Sequence, residues 1–344
     1  MEITNINIGL FPTEKGNTGN TLGANVTETL VWNGSVSTEW HNPANWTPNQ
    51  SPSRLKNVII PDAATTNNDP LIPLDGPSGY GDITQPEVKT ITLEENSILN
   101  SDLFTYNAFF KIPAMLNIYG SIGAWVNQGG IYNPNQGAVV LHNDSSQFAT
   151  ASGNTQFHNI ILDEDVDLLI TANSHIKISG AVTLNGIDAT RATVGSISAA
   201  ENTIEYNGAN QEVVIPNETT PRYFNLILSG SGTKIMPNVH LNVFGDFIVS
   251  NTVTVNLPAK NLNVYGNVTV NEGTTFAAGT STINMAGISG QSIGGTKTSL
   301  LLYNLTNSNT TDTVKINIPS LSLGGNLTNN GVLDFQTNTL NSIS

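Results

Sequence analysis

The densest run of carboxylates in the chain is Asp163-Glu164-Asp165-Val166-Asp167. Asp163, Asp165 and Asp167 alternate, so an extended backbone would turn their oxygens to one side. A hard cation such as Ca²⁺, which takes about six to eight oxygen ligands, could share such a set. The run has neither the glycine turn nor the distal Glu of an EF-hand loop, and no G-G-x-G-x-D repeat accompanies it. A solvated acidic turn is the competing reading.

Other chemistry needs other constellations. Hydrolysis of a glycan wants two carboxylates facing one sugar. Arg191 and Arg222 have only Glu201, Glu205 and Glu212 at longer range, and no acidic cluster within one or two turns of the chain. His142, His158, His175 and His240 stand in Leu-His-Asn, Phe-His-Asn, Ser-His-Ile and Val-His-Leu contexts, none of them a nucleophile motif. There is no Cys, which excludes thiol nucleophiles, disulfides and Cys-ligated metals. With 11 % charged residues the chain is poor in acids, bases and electrophiles, and it reads as non-enzymatic. The net charge of −14 disfavours a nucleic-acid surface. No apolar run approaches the roughly 18 residues of a membrane-spanning helix.

A third group is aromatic. Trp32, Trp40 and Trp46 fall within 15 residues of one another. They could form a platform for sugar rings, or a cap that plugs the end of a fold with apolar area and indole N–H donors.

The elements that must position these residues are strands. The chain holds 47 Asn, 40 Thr and 27 Ser, about a third of its 344 residues. Asn and Gly suit turns, and Thr, Val and Ile suit strands. In Leu262-Asn263-Val264-Tyr265-Gly266-Asn267-Val268-Thr269-Val270 the apolar residues alternate with polar ones, period two rather than 3.6. Three segments read alike: Phe157-His158-Asn159, Tyr223-Phe224-Asn225 and Leu302-Tyr303-Asn304. Gln147, Gln211 and Gln291 precede their Asn residues by 12, 14 and 13 positions, and Gly180, Gly245 and Gly325 follow them by 21, 20 and 21. Gly266 lies 21 beyond Gly245, and Gly120 lies 60 before Gly180. A module of 65 to 80 residues divided into units near 21 is expected. Stacked Asn side chains are expected to form hydrogen-bonded ladders along the axis.

The fold expected is all-β: a right-handed parallel β-helix, or β-solenoid, with an N-terminal Trp-rich cap. The alternative is a string of immunoglobulin-like β-sandwiches, which need about 100 residues each. Residues 1–29 read as an extended arm and 30–79 as the Trp-rich cap segment. Residues 80–344 read as a solenoid of about 21-residue coils, truncated or open at its C-terminal end. The first residues carry no basic and apolar leader, which fits a cytoplasmic protein, a mature form or an excised fragment; the exported-type composition makes an excised fragment the expectation.

Val31-Trp32-Asn33-Gly34, Ser37-Thr38-Glu39-Trp40, Asn42-Pro43-Ala44-Asn45-Trp46 and Val58-Ile59-Ile60-Pro61 follow one another in that order. This order resembles the N-terminal segment of bacterial surface and adhesin-type β-helix repeat proteins that leave the cell by the type 9 secretion route. The resemblance implies an extracellular, structural or adhesive protein of the cell surface. Glycans or other copies of the chain are the partners expected. The open C-terminal coil and the strand-like residues Ile3 to Leu10 could pair with another copy and form a filament. A carbohydrate-active β-helix enzyme or a glycan-binding module is the alternative.

Overall fold

The structure is a computed structural model describing residues 28–74, 85–102, 113–143, 145–150, 154–163, 166–184, 201–214, 222–277 and 279–342. Among these are 37 strands and two three-residue 3-10 helices. All but one of the strand pairings are parallel; the exception joins Thr29–Trp32 to Trp46–Thr47. Immunoglobulin-like sandwiches are antiparallel, so that alternative is excluded. The fold is a β-solenoid with three strands per coil, each stacking on its counterpart in the next coil, and one sheet counts nine strands.

Alternation places the core. Leu262 and Val264 point inward between half-exposed Asn261 and Asn263, and the same pattern recurs in Thr282–Met285 and Thr313–Ile316. The inward residues stack on inward residues of the next coil, so one apolar column runs through the molecule. Each Val, Leu or Ile so buried contributes roughly 1.5–3 kcal/mol.

Coil length is less regular than the glycine spacing suggests. Phe247 lies opposite Leu226 and Val268 opposite Phe247, which makes two coils of 21 residues. Elsewhere the step is 33 (Asn57 to Thr90), 34 (Ile91 to Trp125), 28 (His175 to Thr203) or 19 (Thr313 to Val332). Strand register fixes the stack, while lengthening a connection between strands adds little closure entropy. A constant 21-residue unit is therefore confined to part of the chain.

The 65-to-80-residue module needs a larger correction. Asn159, Asn225 and Asn304 begin strands that belong to three different sheets, so the three similar segments do not occupy equivalent positions. What recurs is a corner. The amide of Gly180, Gly245 or Gly325 donates to the carbonyl of His158, Phe224 or Tyr303, at 2.8 Å each. The next residue's amide donates to the Asn side chain one coil back: Ala181 to Asn159 Oδ1 at 2.9 Å, Asp246 to Asn225 Oδ1 at 2.8 Å, Asn326 to Asn304 Oδ1 at 2.8 Å. A Cβ at these glycines would lie 2.3, 2.1 and 2.5 Å from that Asn oxygen, so the corner admits only glycine without rearrangement.

Gln211 and Gln291 lock a second kind of corner. Gln211 Nε2 donates to the carbonyls of Ile178 and Gly180 while its Oε1 accepts from the amide of Gly208. Gln291 repeats this with Val264, Gly266 and Gly287. The expected amide ladder is present as well. Asn263 Nδ2 donates to Asn242 Oδ1 at 2.9 Å, Asn284 Nδ2 to Asn263 Oδ1 at 3.0 Å, and Ser308 Oγ to Asn284 Oδ1 at 2.8 Å.

Candidate functional site

The Trp-rich segment forms a plug at the N-terminal end of the stack. Asn42 caps the 3-10 turn Pro43–Asn45 by accepting from the amide of Ala44, with Pro at the first position, where its missing N–H costs nothing. Asn45 is wholly buried and satisfied: its Oδ1 accepts from the amides of Val36 and Ser37, and its Nδ2 donates to Ser37 Oγ and the Glu39 carbonyl. The backbone thus pinned brings the three indoles together. Trp46 meets Trp32 and Trp40 edge to face, each at 5.0 Å. Trp32 Nε1 donates to the Asn68 carbonyl and Trp46 Nε1 to the Trp40 carbonyl. Gly34 has φ +54° and an ideal Cβ there would sit 2.3 Å from the Asn68 carbonyl oxygen, so the W-x-G motif is a close-approach requirement.

Each of the three rings is only 1 % exposed. They build the cap, and no ring face is offered to solvent as a platform. The concave feature nearest them is a groove of about 440 Å³ lined by Glu39, Trp40, His41, Pro43, Leu71 and Pro73, among others. Trp40 Nε1 has no hydrogen-bond partner among the described residues. The fourth tryptophan, Trp125, is fully buried against Tyr132 and Phe157 at 5.0 Å each.

Of the acidic run, Asp163 Oδ2 lies 2.8 Å from His142 Nδ1, while Asp165 and the side chain of Asp167 fall outside the described residues. Among the described residues no three His, Asp or Glu side chains gather as metal ligands. The Asp–His pair has the outline of an acid–base dyad. Its second nitrogen, His142 Nε2, faces Asn117 Oδ1 at 2.8 Å, and the ring stacks on Tyr119 at 4.4 Å. Both nitrogens are thus engaged, and the imidazole ties coils together. Burial, with the Glu87 carboxylate beside it, raises the Tyr119 pKa.

Glu205 accepts from Ser229 Oγ, and its other oxygen lies 2.9 Å from His175 Nε2 and 3.6 Å from Lys177 Nζ. Burial alone would raise its pKa, but the bonds from His175 and Ser229 and the Lys177 charge prevail and pull it down to about 2. Lys234 is fully buried, and its Nζ donates to the carbonyls of Gly208 and Ala209 and to Gln211 Oε1. Burial lowers its pKa to about 8. Sequence reasoning missed this lysine. Nothing in Ser231-Gly232-Thr233-Lys234-Ile235 marks it, and alternation is inverted there, with Ile235 44 % exposed.

The class these features define is a parallel β-solenoid whose polar side chains are used mainly in joining one coil to the next. No family model, curated protein or solved structure matches the chain.

Proposed function

We propose that the chain is an extracellular structural and adhesive β-solenoid of a bacterial cell-surface protein, exported by the type 9 route and without catalytic activity. One observation carries this reading: the polar groups that could do chemistry bridge coils. Asp163 holds His142, Glu205 holds His175 and Lys177, and Lys234 and Gln211 tie down the carbonyls of neighbouring turns. Such bonding stiffens a rod and leaves Asn, Thr and Ser on its faces to meet glycans or further copies of the chain. The Trp-rich cap supports the bacterial surface-protein reading through the motif order that carries the resemblance.

Beads coated with the chain and washed over glycan-coated surfaces test the proposal. Retention under flow, with no shortening of the glycan, is expected. Release of oligosaccharides would overturn it in favour of a carbohydrate-active enzyme. Electron microscopy of concentrated protein tests self-association, where filaments are expected and isolated short rods would count against them.

A further inference from the structure

From the outer face of the six-stranded sheet we infer a binding site for an uncharged, β-linked glycan, centred on Tyr265 and Ala286. The inference rests on the adhesive reading and gives it a location.

In strands Leu241–Val243, Asn261–Val264, Thr282–Met285 and Asn304–Asn307 the half-exposed positions are Asn242, Asn261, Asn263, Thr282, Asn284, Asn304 and Thr306. None is charged. An amide carries two N–H donors and an oxygen with two lone pairs. Asn263 and Asn284 each use one donor and one lone pair along the axis, which leaves a second donor and a second lone pair for a ligand.

An aromatic column borders this ladder. Phe244 and Tyr265 follow the paired residues Val243 and Val264, and they stack at 4.9 Å with planes 28° apart. They are 39 % and 38 % exposed. Stacking one coil apart turns the ring normals along the axis. The next position in the column, after Met285 opposite Val264, is Ala286, and one coil further stands Ser308. A methyl is too small to cover a phenol ring, so the aromatic stack ends at Tyr265. Ala286, Asn284 two residues before it, and Ser308, whose hydroxyl is bonded to Asn284 Oδ1, would border a slot beside the ring.

A pyranose matches this slot. Its axial C–H groups suit the electron-rich face of an aromatic ring, and its hydroxyls suit the spare amide donor. Equatorial β-linkages leave that C–H face clear, and a sugar lying flat on a ring whose normal is axial extends its chain across the ladder, along the strand direction. Anionic glycans are disfavoured by the chain's −14 charge and by the lack of a cation in these four strands; Arg222, in the same sheet, pairs with Asn242 two coils from Tyr265.

Ligand-observed NMR titration with a neutral β-glucan oligosaccharide and a uronate oligosaccharide tests the site. The wild-type chain and Tyr265→Phe should bind the neutral ligand and prefer it to the uronate. Tyr265→Ala, which removes the ring, and Ala286→Phe, which fills the slot, should each weaken binding by roughly tenfold or more. Thr254→Ala, on another sheet, should leave binding unchanged. Equal binding by all variants, or preference for the uronate, would overturn the site. If no oligosaccharide binds while coated beads still adhere, the slot is refuted and the adhesive reading stands. If adhesion fails too, both fall.

Discussion

The glycine corner gives the sharpest quantitative prediction. An alanine methyl at residue 245 would lie 2.1 Å from Asn225 Oδ1 and 2.9 Å from Phe224 Cε1, well inside contact distance. Phe224 can shift, but Asn225 Oδ1 accepts from the Asp246 amide at 2.8 Å and must surrender that bond to move. Overpacking of this kind costs about 1–3 kcal/mol, and a stranded donor costs about 1–3 kcal/mol where it is buried. The donor here is partly buried. Replacing glycine also removes about 0.4–1 kcal/mol of unfolded-chain entropy, which offsets part of the loss. Gly245→Ala should therefore destabilise by about 1–3 kcal/mol. Gly290→Ala is the control: its methyl would meet nothing nearer than Asp312 Oδ2 at 3.5 Å, and the change should stay within about 0.5 kcal/mol. Asn225→Ala alone should cost about 1 kcal/mol. Once Asn225 is gone the methyl has room, so the double variant should be less destabilised than the sum of the singles by at least about 0.5 kcal/mol. Urea midpoints at unchanged m-value, with hydrogen exchange at the Asp246 amide, provide the measurement. Equal stability of Gly245→Ala and Gly290→Ala, or strict additivity in the cycle, would refute the corner.

Acid should weaken the fold through Glu205. Its folded pKa of about 2 lies below the ordinary 4.5, so the stability it contributes is present above pH 4.5 and is lost as pH falls through about 2. The loss is at most roughly 3 kcal/mol, and Glu205→Gln should flatten this part of a denaturation series. Lys234 works in the opposite sense, because a folded pKa of about 8 against 10.5 unfolded means the unfolded chain binds the extra proton in that window. Stability should rise between pH 8 and the onset of tyrosine ionisation, and Lys234→Met should lose the slope. Trp46→Ala removes the ring between Trp32 and Trp40 and should cost about 3–5 kcal/mol, read as a fall in denaturation midpoint.

Much of this architecture is legible in the sequence because it rests on local rules. Period-two alternation in Leu262 to Val270 states the strands, and the glycines at 245 and 266 mark a true 21-residue step there. The same spacing misleads over longer stretches. Asn159, Asn225 and Asn304 share a corner whose bonding is local to two coils, so the motif can sit at any corner without a long module behind it. The Trp cluster is legible as a cluster, and burial decides for the cap. The Phe244 and Tyr265 column is not legible, because it depends on which residues 21 apart align, and that register is set by Val243, Val264 and Met285 on the inner side. Lys234 is hidden for a similar reason: its inward direction is imposed by Val255, its partner across the ladder.

In the proposed role the outer faces of the stacked coils are a non-catalytic contact surface for glycans. A quartz crystal microbalance carrying a film of neutral β-glucan tests it in one trace. Adding the chain should raise the bound mass, and washing should return the film to its starting mass. No uptake, or a film lighter after washing than before, would contradict it.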